Sequence, residues 1–353
     1  MNVLAAIASV GARTSVGLTA PHTGFLLRAG AAGMHFAPLI DSEEEAVTFC
    51  VLTTLDPLSV GADRAAAIAI PAMEEALAPL GPRAASLRLK LILCMDASLA
   101  GAKGEAWNSP IASAGLVARV QARAKELCPQ LVVELCVRGA AGPALILEGA
   151  ISSLSLGQFD AVLLGGVHTD YDPARITALE TQGRLFSPKN LDALIPGECA
   201  AFALLMRPEL ARHAQLPVHS HIVSIGTGFE TATPDNDHPA YEAKGLTAAI
   251  KMAAAPLVAS RLTAGWALTD LSFELRRISE WQAMVVRTHK IWGEPHLLDN
   301  PAQRLGYLGA AALPLHLALA QTAWRHGYAP SPIAVAYAGS DAGDRGVIVL
   351  AQA

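Results

Sequence analysis

The sequence holds no run of about 18 uncharged apolar residues, the length a membrane-spanning helix needs, so no membrane partner is expected. Its cysteines are few. Cys50, Cys94, Cys128, Cys136 and Cys199 are odd in number, widely spaced and without a CxxC pair. That excludes a disulfide framework and a zinc knuckle, and leaves most of them as reduced core thiols. Basic clusters are missing too, and a net charge of -5 gives no electrostatic footprint for nucleic acid. GTGF, from Gly226 to Phe229, lacks the third glycine and the later acidic residue of a dinucleotide fingerprint, and no cofactor is implied. The apolar opening stretch has no basic leader. It reads as a first strand entering a glycine turn rather than as a signal peptide, with the cytoplasm as the expected location.

Apolar content is what the chain has in abundance. Hydrophobic residues make up 52% against 16% charged, a ratio that points to strands buried on both faces. The first half alternates strand and helix signals: VLAAIASV, then DRAAAIAIPAMEEALAPL at helical spacing, then the buried strand LRLKLILCMD. QLVVELCV follows as a strand, GAAGPALILEGAISSLSLG as a helix apolar enough to be buried all round, and FDAVLLGG as another apolar strand.

After AAFALLMRPELARHAQLP the pattern restarts. VHSHIVSIGTGFE and WALTDLSFEL read as strands, GLTAAIKMAAAPLVASRL and EWQAMVVRTHKIWGE as helices. A last helix, LGAAALPLHLALAQTAWRHG, has Pro314 as a kink or first-turn residue, and IAVAYAG with GVIVLAQA reads as a closing hairpin. With no Ser/Gly linker, residues 1–213 and 214–353 are expected to be two similar halves of one compact α/β unit.

The segment LCVRGAAGPALILEGAISSLSLGQFDAVLLGG resembles ketoacyl-acyl-carrier-protein synthases of the thiolase-like superfamily, with Leu156, Gly157, Asp160, Gly165 and Gly166 matching a Leu-Gly-x-x-Asp turn and a strand ending in Gly-Gly. GARTSVGLTAPHTGFLLRAGAAGM, RLFSPKNLDALIPGECAAFALLM and RLGYLGAAALPLHLALAQTAWRHG resemble the same family in the same order, the last through Leu308, Gly309, Ala310 and Ala311. The resemblance implies a five-layered αβαβα fold and a homodimer or heterodimer built by strand pairing.

It also implies chemistry that the residues do not supply. Condensation needs an acyl-carrying thiolate, two imidazoles near the thioester carbonyl and amides for the oxyanion. Counting back from Gly165 and Gly166, the thiol position falls on Ala140, between Gly139 and Ala141. The first histidine position falls near Phe273 or Glu274, followed by the bulky, charged Arg276 and Arg277. The second falls on Gly306, and the preceding lysine near Pro301. The final glycine-rich turn is GSDAGDRG, with Asp341, Asp344 and Arg345. Cys136 is four residues before Ala140 and is expected inside the sheet layer as a core thiol. Arg138 beside it keeps a displaced nucleophile as the alternative.

Other groups read as structural. His219 and His221 are expected to share one face of a strand, with Asp235, Asp237 and His238 in a solvated turn that Asn236 caps. A metal site is the rejected alternative. Ser42 to Ala46, SEEEA, reads as a solvated helix start. His168 and Asp170 are expected to face the former cavity or a partner subunit in a structural role. The expected function is that of a ketosynthase-like pseudoenzyme, more a scaffold than an enzyme. Its expected place is as the silent partner of a related subunit, like a chain-length factor, or as an accessory protein of type VI secretion effector clusters. An acyl-thioester or an acyl carrier protein is a further expected partner. The alternative is an acyltransferase or 3-oxoacyl-acyl-carrier-protein synthase using Cys136.

Overall fold

The computed structural model describes residues 2–100 and 113–353. The strands of the first half are β1 (Ala5–Thr14), β2 (Met34–Ile40), β3 (Ala46–Cys50), β4 (Leu89–Met95), β5 (Leu131–Cys136), β6 (Ala161–Thr169) and β7 (Glu198–Met206). Those of the second are β8 (Ser220–Phe229), β9 (Ala264–Leu268), β10 (Trp292–Asp299), β11 (Ile333–Gly339) and β12 (Asp344–Gln352). The longer helices are α1 (Ala20–Arg28), α2 (Gly61–Leu77), α3 (Ala118–Leu127), α4 (Gly142–Ser155), α5 (Pro173–Thr181), α6 (Lys244–Ala259), α7 (Leu275–Arg287) and α8 (Ala312–Arg325).

Ten strands hydrogen-bond in the order β10-β9-β11-β12-β8-β1-β7-β6-β4-β5, and β2 pairs with β3 separately. Read outward from the β1–β8 junction, each half has the same order, so the chain is built from two similar halves. Their inner faces enclose α4 and α8 in one apolar cluster. The outer face of the first half packs on α2 and α3, and that of the second on α6 and α7. These are the five layers αβαβα.

The wholly apolar strands follow from this stacking, because β6 and β7 are buried at every position. The close approach of layers also explains the small residues. A Cβ on Gly166 would lie 2.0 Å from the Ala310 carbonyl oxygen, so only glycine lets β6 meet the turn before α8. The helix buried nearly all round is α8, where Ala312 to Trp324 are all buried, with Pro314 in its first turn. In α4 that expectation fails. Glu148, Ser152 and Ser155, spaced to share one helical face, are exposed.

Three other expectations are corrected. Ser42 to Ala46 is the turn of the β2–β3 hairpin, where Asp41 Oδ1 accepts from the Glu43 and Glu45 amides at 2.9 Å, a side-chain turn in place of a helix cap. IWGE does not extend α7. The chain turns at His289–Ile291 and enters β10 at Trp292. The strand expected over WALTDLSFEL stops at Leu268. Beyond it, Thr269 donates its amide to Asp299, Asp270 bonds the Gly339 amide, and α7 begins at Leu275.

Candidate functional site

Both central helices begin at one place, each preceded by a tight small-residue turn. Gly139–Ala141 leads into α4 and Gly309–Ala311 into α8, with Gly139 and Gly309 at φ of 64° and 47°. Helix starts of this kind present free amides to an anion. Here two of these amides, one at each start, are bonded within the protein. Ala141 donates to Ser340 Oγ at 2.9 Å, and Ser340 donates to the Arg138 carbonyl at 2.6 Å. Ala310 donates to Asp96 Oδ2 at 3.2 Å.

Ala140 lies inside the first turn, fully buried, with a methyl group as its side chain. Cys136 ends β5 in register with Cys94 of β4. Its sulfur is not confined to the sheet layer. It reaches the Gly142 carbonyl oxygen at 3.6 Å, because the glycine leaves room for it. A hydrogen bond from the Cys94 thiol lowers the Cys136 pKa most. Burial opposes that shift and Arg138 adds to it. The five cysteines are all buried and free.

On one side of the turns stands a guanidinium–carboxylate cluster. Arg184 Nε donates to Glu274 Oε1 at 2.8 Å, and its Nη1 to Asp341 Oδ2 at 2.8 Å. Arg276 and Arg277 reach Asp341 Oδ1 at 3.1 and 3.0 Å, and Arg277 also donates to the Gly339 carbonyl at 2.8 Å. Burial pushes the Glu274 carboxyl up, but Arg276 and Arg184 overcome it and hold the group below the ordinary range. The same contest, won by Arg277 and Arg184, holds Asp341 down. Arg345 is paired with Glu280 at 2.6 Å, and Arg138 with Asp344 at 2.8 Å.

On the other side is a chain of alternating charges. Asp96 Oδ2 lies 2.6 Å from His168 Nδ1, His168 Nε2 lies 2.9 Å from Asp170, and Asp170 accepts from Arg175 at 2.7 Å. The Nε2 contact is an ion pair without the alignment of a hydrogen bond. Burial lowers the imidazole pKa, yet Asp170 and Asp96 together raise it to about 10. His168 is therefore a cation at neutral pH. Tyr307 meets its ring edge-on at 4.9 Å.

The solved structures with which this chain aligns share that architecture. It matches the ishigamide ketosynthase/chain length factor with a TM-score of 0.79 at 19% identity over 99% of both chains. The fold is the thiolase-like fold of ketosynthases. A type II polyketide synthase acyl-carrier protein in complex with its ketosynthase bound to the hexaketide, AntDE:AntF, gives 0.78 at 14% identity over 99% of each chain. A beta-ketoacyl synthase from Burkholderia phymatum STM815 gives 0.76 at 14% identity over 100% of each. No protein-family model and no curated protein matches the sequence.

Within this ketosynthase fold, Glu274 joins the arginine cluster, and Phe273 stacks on Phe186 at 6.2 Å between centroids. The residue that opens the turn after β9 is Thr269, ahead of both, and it carries no imidazole either. Gly306, at φ 73°, packs against the backbone of Ile195 to Gly197, where a Cβ would lie 2.6 Å from the Pro196 carbonyl oxygen. Pro301 precedes the short helix Ala302–Leu305. Sequence patterns did not single out Asp96, which stands in no motif, or Arg184, which only opens the RLFSPKN segment, because both meet their partners across the fold. His219 precedes β8 while His221 lies within it, and Asn236 braces its turn by donating to Thr231 and Thr233 at 2.9 and 2.8 Å. Among the described residues no group of three or more His, Cys, Asp or Glu is placed to hold a metal, and no helix is long and apolar enough to cross a membrane.

Proposed function

We propose that this chain is a non-catalytic ketosynthase-like subunit, with residues 1–213 and 214–353 as its two halves, that acts by binding a related subunit in the cytoplasm. One observation carries the reading. The residue in the α4 turn is Ala140, and the amides beside it are engaged by Ser340 and Asp96. A thioester carbonyl there would meet no thiol, and the Ala141 and Ala310 amides already hold Ser340 and Asp96.

The edge of β5, unpaired among the described residues and with Val132 half exposed, is the surface expected to carry the partner strand. The ketosynthase/chain length factor and the carrier-protein complex among the similar structures support a related subunit and an acyl carrier protein as partners. A role beside secretion effectors is a narrower form of the same proposal. The second reading, acyl transfer through Cys136, is favoured by its lowered pKa and its contact with Gly142.

Incubation with acyl-thioesters followed by intact mass measurement separates the two. An unmodified mass supports the binding role, and an adduct on Cys136 overturns it. Native mass of the protein expressed alone then distinguishes a self-paired dimer from a subunit awaiting a different chain.

A further inference from the structure

A cleft of about 880 Å³ opens at the β10 edge of the sheet, bounded by α1, α7 and the end of α8, within the size range of small-molecule sites. Its lining includes neither Ala140 nor Glu274 nor Gly306, so it is separate from the turns described above. Its origin is a mismatch of register. Between paired positions, β9 advances two residues, from Ala264 to Trp266, while β10 advances five, from Trp292 to Leu297. The excess residues leave the ladder and the edge splays.

The floor is apolar: Trp266, Leu268, Leu271, Trp281 and Leu319 line it. The rim is cationic. Arg28 is exposed and stacks on Tyr328 at 4.7 Å, and Arg304 is exposed with its guanidinium donating to the Leu27 carbonyl, which brings it to within a residue of Arg28. Among the described residues neither has a carboxylate partner. The acid on the wall, Asp299, accepts the Trp266 indole N–H at 2.8 Å. A ligand therefore meets two guanidiniums that have no carboxylate partner among the described residues, beside an apolar trough whose acid, Asp299, is turned to the Trp266 indole.

We propose that this cleft binds an amphipathic carboxylate, an apolar chain lying over Trp266 and Trp281 with its single anionic head between Arg28 and Arg304. Guanidinium pairs hold a carboxylate through charge-assisted hydrogen bonds, and the tryptophans supply apolar contact area. Such a ligand would bind whether or not the chain condenses thioesters.

The test uses the full chain and decanoate, followed by tryptophan fluorescence and calorimetry, with decanol and decylammonium as controls. Decanoate should bind saturably, and both controls should bind about tenfold more weakly or not at all. R28E and R304E replace exposed residues, and each should weaken decanoate by about tenfold with an unchanged circular dichroism spectrum. Leu319→Trp fills the floor and should abolish binding while leaving the rim intact. Three results overturn the proposal: no saturable binding, equal binding of all three probes, or charge reversals that leave decanoate affinity unchanged. If R28E changes the oligomeric state and leaves decanoate affinity intact, the cleft is instead a contact for a second copy.

Discussion

Arg184 donates two hydrogen bonds to Glu274, Nε to Oε1 at 2.8 Å and Nη2 to Oε2 at 3.2 Å, joining the segment after α5 to the first turn of α7. Both side chains are buried, so neither charge has water as a substitute partner. Arg184→Ala should destabilise the protein by about 1.5–3 kcal/mol, because Glu274 and Asp341 lose its charged hydrogen bonds while keeping those of Arg276 and Arg277. Arg184→Lys should recover only part of this, since an ammonium cannot reproduce the planar fork. Urea unfolding checks both. Glu274 is held below its ordinary range, so its contribution is full above about pH 4.5 and is lost as the pH falls through the lowered value.

Gly309 separates strain from collision. A Cβ there would lie 2.2 Å from Asp96 Oδ2 and 2.3 Å from His168 Nδ1, on a backbone with φ of 47°. Gly183 has φ of 65° and nothing within 4 Å of its Cβ position. Gly183→Ala should cost about 1–2 kcal/mol from conformation alone, and Gly309→Ala about 2–5 kcal/mol, as overpacking adds to the strain. Denaturant midpoints of the two variants give the comparison.

His168 makes stability depend on pH in the alkaline direction. Its pKa rises from 6.5 to about 10 on folding, so its stabilising charge is complete below pH 6.5 and disappears as the pH climbs through about 10. His168→Asn should remove this dependence. The gap in unfolding free energy between wild type and variant should be widest near pH 6 and close towards pH 10–11, read from urea curves across that range.

Restoring a single group should not restore the reaction. Ala140→Cys places a thiol in the α4 turn, but the Ala141 amide stays bonded to Ser340 and the His168 imidazole stays clamped between Asp96 and Asp170. Intact mass after incubation with an acyl-thioester should show no adduct on the introduced thiol under conditions that label an active ketosynthase. Rapid acylation would mean that only the sulfur had been lost.

The layers were legible through runs such as FDAVLLGG, the strand β6, whose unbroken apolar character matches burial on both faces. The glycines at 165, 166 and 309 were legible through their order. The arginine cluster was not, because Glu274 and Asp341 lie 90 and 157 residues from Arg184 and meet it only after both halves have closed. Arg276 and Arg277 were visible as bulk and charge, without their partners. Asp96 was hidden for the same reason: it ends an ordinary strand, and its role appears only beside His168 of the neighbouring strand.

The two rims of the ten-stranded sheet are topological equivalents, yet only one is regular. β5 keeps an unbroken register with its neighbour from Leu131 to Cys136, whereas β10 departs from its own between Trp292 and Leu297. A polypeptide with two clean, matching borders could add copies at both and grow without end. Here one border is crooked, so among the described residues the regular edge open to strand addition is that of β5.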